Sequence, residues 1–254
     1  MTTIHTEIYG TGPALVMIPG WGMHTGVWRS FAKQLAVGYQ VICLDLPGHG
    51  HSETVTPYTL PAIADSLLQA IPAQKFNLLG WSLGASVALA MALQSPERTT
   101  SLVMLAGNPK FVQTENWPGV APEILQAFSS QVALRPALTL QRFLALQLDG
   151  CAGGKQLLKT MKLGLNECAT PSAEVLLAGL EILEHSDLRP ALQQLACPLT
   201  VILSDSDRLI PVATGTAIQA LKPDSKLQIL PAAGHAAFLS HAQLLQQTLF
   251  AALC

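Results

Sequence analysis

The sequence predicts an α/β fold: a mostly parallel central sheet flanked by helices and interrupted by an inserted helical cap. Three observations carry this expectation. Short apolar runs alternate with stretches of helical spacing towards both ends of the chain, and that alternation stops between residues 108 and 185. The length of 254 residues, half of them apolar, suffices for one large core carrying an insertion.

The apolar runs at 15–18, 41–44, 76–79, 102–105, 199–203 and 227–230 are bounded by Gly, Pro or Asp and read as strands buried on both faces. Between them, 28–35, 60–71, 83–93, 212–221 and 244–253 carry helical spacing, as crossovers between parallel strands require. No strand pattern appears in 108–185. Helices there are expected to begin near Pro122, Thr139, Gly154 and Pro171, with breaks at Arg135-Pro136, Asp149-Gly150 and Thr170-Pro171. The expected division is a core of 1–107 and 186–254 and a cap of 108–185, with no internal repeat or low-complexity tract.

Composition removes several classes of function. With 12% charged residues and a net charge of −2, the chain is neither disordered nor surrounded by the basic field that nucleic acid requires. Cys43, Cys151, Cys168, Cys197 and Cys254 form no C-x-x-C pair and are odd in number, so they read as reduced thiols rather than a disulfide framework or zinc site. The N-terminal residues lack a basic and apolar leader, and no run approaches the length of a membrane span, so a soluble, cytoplasmic monomer without metal, cofactor, nucleic-acid or membrane partner is expected.

Gly80-Trp81-Ser82-Leu83-Gly84 follows one apolar run and opens a helical stretch. A serine turned so sharply between strand and helix is strained, and glycines two residues to either side leave room for the turn. The turn exposes the hydroxyl at a helix N-terminus, where unpaired N–H groups favour a developing oxyanion. The nucleophile needs a base, and the base a carboxylate, following in the order Ser, acid, His. Asp205 and Asp207 follow the run at 199–203, and His235 follows that at 227–230. All lie beyond strand carboxyl ends, where sites of open α/β sheets gather. Asp205 also suits a turn or cap before Val212. His5, His24, His49, His51, His185 and His241 lack such a position and read as turn or surface residues, as does Ser52 in the Gly- and Pro-rich loop 45–52. Oxyanion donors are expected from the amides of Leu83, after the nucleophile, and Trp21, in Pro19-Gly-Trp-Gly22 after the first run.

Through P-G-W-G, D-L-P-G-H-G-x-S, G-W-S-L-G, D-R-L-I-P and G-H-A-A-F the chain resembles the α/β-hydrolase superfamily over nearly its whole length. Within it, the chain resembles the carboxylesterases of the biotin pathway, which cleave the methyl ester of pimeloyl acyl-carrier protein. That likeness rests on G-W-S-L-G with Ser95-Pro-Glu-Arg98, on Trp117-Pro-Gly, on Arg142-Phe-Leu-Ala-Leu-Gln147, and on Gly179-Leu-Glu-Ile-Leu183 with Asp187-Leu-Arg189. The resemblance implies a triad of Ser82, Asp207 and His235, favouring Asp207 over Asp205 by its place four residues before Pro211. It implies Trp21 and Leu83 as oxyanion donors, and Phe143 and Gln147 along the substrate passage beside Trp21, Ser82, Leu83 and His235. Two positions depart from the pattern: Pro19 replaces a histidine before the oxyanion glycine, and Ala237 a proline after His235.

Charge placement bears on the partner. Between residues 124 and 166, Arg135, Arg142, Lys155, Lys159 and Lys162 face a single acidic residue, Asp149. Lys155, Lys159 and Lys162 recur at helical spacing on one face and suit, with Arg142, an acidic acyl-carrier protein. Small esters hydrolysed by a general short-chain esterase, a C–C bond hydrolase of the same fold, and a non-catalytic binding protein are the other functions this pattern admits.

Overall fold

The computed structural model describes residues 2–149 and 153–253. Cys151, Cys254 and the glycine of the expected Asp149-Gly150 break lie outside the described residues. Seven strands among the described residues, β1 (Thr6–Tyr9), β2 (Ala14–Ile18), β3 (Gln40–Leu44), β4 (Phe76–Trp81), β5 (Thr99–Leu105), β6 (Leu199–Ser204) and β7 (Lys226–Leu230), form one sheet in the order β1-β3-β2-β4-β5-β6-β7. β1 runs antiparallel to β3, and all other pairings are parallel. Strands β2, β4 and β6 are buried at every residue, which is why they read as uninterrupted apolar runs. β1 has no such signal: it is a four-residue edge strand that carries Glu7 and is partly exposed throughout.

The order of strands reverses at β2, which has β3 on one side and β4 on the other. The loops leaving β2 and β4 therefore open a crevice at their carboxyl ends. Helices α1 (Arg29–Leu35), α2 (Leu60–Ala70) and α3 (Leu83–Gln94) follow β2, β3 and β4. α3 buries residues on all sides, as expected of a helix without a polar face. Trp28, Trp81, Phe31 and Phe238 are among the largest fully buried side chains of the core.

Between β5 and β6 the chain forms α4 (Pro122–Leu134), α5 (Pro136–Leu146), α6 (Gly154–Leu165), α7 (Ala173–His185) and the short α8 (Arg189–Gln193). α9 (Ala213–Leu221), α10 (Ala237–Ser240) and α11 (Ala242–Leu253) complete the chain. α5 starts at Pro136 rather than near Thr139, because proline at the first turn forfeits no helical hydrogen bond. The Thr139 hydroxyl donates back to the carbonyls of Arg135 and Gln131, at 2.9 and 3.0 Å. α7 starts at Ala173 rather than Pro171, since Ser172 Oγ accepts from the Val175 N–H at 3.2 Å and caps it.

α6 lies against the core through two glycines. A Cβ on Gly164 would stand 2.6 Å from the Gly26 carbonyl oxygen, so only glycine permits this approach. His24 Nε2 donates to Leu165 O at 3.2 Å, while its Nδ1 accepts from Gly26 N at 3.1 Å, fixing the tautomer. Arg29 completes the attachment by pairing with both Glu7 and Glu167. No helix among the described residues is long and apolar enough to cross a membrane.

Candidate active site

Ser82 stands between β4 and α3 with φ 57° and ψ −120°, a conformation that costs a non-glycine residue energy. The surrounding glycines make room for it. A Cβ on Gly80 would overlap the Gly84 carbonyl, and one on Gly84 would lie 2.5 Å from Pro19 O. The Ser82 amide donates to Leu105 O at 3.0 Å, pinning the turn to β5. Trp81 and Leu83 on either side are buried, whereas Ser82 is partly exposed.

His235 follows β7 and is 2% exposed. Its Nδ1 lies 2.8 Å from Asp207 Oδ2, and its Nε2 is buried with no hydrogen-bond partner among the described residues. The other Asp207 oxygen, Oδ1, accepts from the amides of Leu209 at 2.8 Å and Ile210 at 3.1 Å, so the carboxylate is oriented by its own loop. Asp205 faces elsewhere. Its Oδ1 accepts from the Ala232 amide at 2.7 Å and from Ser206 Oγ at 2.9 Å, bracing the loop that carries His235.

Trp21 leaves β2 through Gly20, where a Cβ would come within 3.2 Å of Ser82 Cβ. The loop after β2 thus lies directly against the serine. Neither the Trp21 nor the Leu83 amide donates to a protein acceptor among the described residues. The Trp21 side chain donates from Nε1 to Leu176 O at 2.8 Å and meets Phe143 and Phe128 edge-on, at 5.2 and 5.4 Å between ring centroids.

An apolar cavity opens over Ser82. Trp21, Phe143 and Leu209 line it, with Phe111, Val120, Ile124, Leu125, Phe128, Leu146, Leu180 and Leu183. Among the described residues Ser82 is the one lining residue with a hydroxyl or a charge, so the space suits an alkyl chain carrying a neutral reactive group. Gln147 is not part of this lining. It is 1% exposed, and neither atom of its amide has a hydrogen-bond partner among the described residues. Lys155, Lys159 and Lys162 line a separate surface groove along α6, with Leu158, Leu163 and Asn166. Arg142 is exposed on α5, outside that groove.

Sequence reasoning assigned no role to Trp81, whose Nε1 donates to His235 O at 2.9 Å, or to most of the cap residues around the cavity. Of the remaining histidines, His24 is buried rather than at the surface, and so is His49. Desolvation lowers the His49 imidazole to about 4 despite the bond between Nδ1 and Pro47 O. Ser52 Oγ accepts from the His5 amide at 2.9 Å, a turn role.

A sequence model of the alpha/beta hydrolase fold matches residues 13–242. A pimeloyl-[acyl-carrier protein] methyl ester esterase of Methylococcus capsulatus is 39% identical over 237 residues, 93% of each chain. A second protein so named, from Pseudoalteromonas atlantica, is 38% identical over 247 residues, 95% of each chain. Among solved structures, an esterase from Exiguobacterium antarcticum superposes with a TM-score of 0.89 at 21% identity, covering 99% of this chain and 96% of that one, a likeness of fold.

Proposed function

We propose, from the premise that the chain belongs to the α/β hydrolase fold family, that it is a serine carboxylesterase acting on the methyl ester of pimeloyl-acyl-carrier protein. The products are pimeloyl-acyl-carrier protein and methanol. Relatives named for that reaction, matching over more than nine-tenths of both chains, support the substrate. The observation that carries the chemistry is the buried Asp207–His235 pair, beside a strained serine that is the only described lining residue of the apolar cavity with a hydroxyl or a charge.

In this reading Asp207 holds the Nδ1–H of His235, leaving Nε2 free to take the proton of Ser82 Oγ as the oxygen attacks the ester carbonyl. The amides of Trp21 and Leu83 receive the negative charge of the tetrahedral intermediate. His235 returns its proton to the departing methoxide, then activates a water that releases the acid from the enzyme. Residues 108–185 act as a lid over the core of 1–107 and 186–254. Phe143 bounds the alkyl passage, with Gln147 one turn beyond it, while Arg142, Lys155, Lys159 and Lys162 receive the acidic carrier protein.

Two measurements test this. The value of kcat/KM for methyl pimeloyl-acyl-carrier protein should exceed that for short p-nitrophenyl esters by on the order of 100-fold. Equal values would reduce the protein to a general esterase. A serine-directed fluorophosphonate should label the protein and fail to label Ser82→Ala; labelling that survives the substitution would overturn the nucleophile.

A further inference from the structure

We propose that Trp81 is a positioning residue of the reaction: its indole N–H holds the main-chain carbonyl of His235 and so fixes the base relative to the serine that follows Trp81 in the chain. The inference rests on the reading of His235 as the base. Trp81 Nε1 donates to His235 O at 2.9 Å, across 154 positions of sequence. The indole is 1% exposed and lies 5.6 Å from the imidazole, between ring centroids, at an interplanar angle of 45°. Its other neighbours are Phe238, edge-on at 4.8 Å, and Trp28 at 5.8 Å. The elbow and the segment holding His235 and Phe238 thus share one aromatic cluster.

Packing alone does not demand this hydrogen bond. In the same cluster the indole N–H of Trp28 is buried and has no partner among the described residues. The Trp81 N–H, by contrast, is spent on the backbone of His235, whose carbonyl receives no backbone donor among the described residues. The flanking anchors lie on other residues: Ser206 N reaches Ala233 O, and Leu239 N reaches Ala236 O, at 3.1 and 3.0 Å. Since Trp81 ends β4 and is joined covalently to Ser82, this bond ties the segment that carries the base directly to the residue before the nucleophile. A misplacement of catalytic groups by about 1 Å has large kinetic effects, so the link matters for rate more than for stability.

The test uses Trp81→Phe, which removes the donor, and Trp81→His, which keeps a ring N–H. Steady-state kinetics on a p-nitrophenyl ester avoid any contribution from carrier-protein docking. For Trp81→Phe, kcat should fall about ten-fold, as loss of one buried hydrogen bond in the transition state predicts, with KM within two-fold of wild type. The fluorophosphonate labelling rate should fall by the same factor, and the low-field proton resonance of His235 Nδ1–H should broaden. Trp81→His should recover most of kcat. Benzothienylalanine at position 81 keeps the indole shape and lacks only the donor, so it replaces Trp81→Phe if that variant fails to fold. A kcat within two-fold of wild type in the donor-free variant, or an equal fall in Trp81→His, overturns the proposal. His235→Ala run in parallel separates the failures. If it stays fully active, the base assignment falls; if it is inactive while the donor-free variant is unimpaired, only the role of Trp81 falls.

Discussion

Asp205 and Asp207 stand two residues apart beyond β6, and their surroundings give them different work. The Asp207 carboxylate spans the imidazole of His235 and two amides of its own loop, whereas Asp205 binds the Ala232 amide. Asp207→Asn should lower kcat by about 10⁴, because an amide there selects the wrong imidazole tautomer. Asp205→Asn should leave kcat within a few-fold and cost about 1 kcal/mol of stability in urea unfolding. A large kinetic loss in Asp205→Asn with a mild one in Asp207→Asn would exchange their roles. The position of Asp207 before Pro211 separated the two in the sequence through resemblance. The brace made by Asp205 was not legible, since its partner lies 27 residues on and only the paired loops after β6 and β7 bring them together.

The amphipathic helix α6 turns Met161 inward and carries Lys155 and Lys159 on its exposed side, with Lys162 half-buried. Replacing all three lysines by glutamine should raise KM for the carrier-bound ester about ten-fold at low salt and leave a p-nitrophenyl ester unaffected, an effect that added salt should erase. Equal changes for both substrates would remove α6 from docking. Elements with a covalent or steric signature were legible from sequence. Gly80 and Gly84 announce the elbow, and the buried runs of β2, β4 and β6 announce the sheet. β1 escaped because an edge strand with one polar face needs no apolar run, and the neighbours that reveal it belong to β3. The existence of the cap helices was legible, but not which of their apolar residues face Ser82. Phe128 on α4 and Leu180 on α7 meet at one cavity only through the docking of those helices, which no single helix period encodes.

At the scale of the whole molecule, the charges in and around the loop 45–52 set the response to acid. His49 has an ordinary value of 6.5 and is held down to about 4 in the fold. The unfolded chain therefore binds a proton first, and the stability this group contributes is complete above pH 6.5 and lost as pH falls towards 4. Burial alone would raise Glu7, but hydrogen bonds from Arg29 and Tyr9 outweigh it and hold the carboxyl down to about 2, so its contribution is lost in a second window from 4.5 downwards. Unfolding free energy should drop by roughly 2 kcal/mol between pH 7 and pH 5 through His49. The pH dependence of urea midpoints should flatten in that interval for His49→Asn, and an unchanged slope would assign it to other groups. The cavity over Ser82 has a different bearing on charge. Among the described residues its walls offer a carboxylate no cation, and the Trp21 indole N–H is already given to Leu176 O, so a group that enters uncharged becomes an ion in surroundings that solvate it poorly. Hydrolysis thereby loosens the grip of the cavity on its own product, and the dryness of the wall favours release over inhibition by the acid.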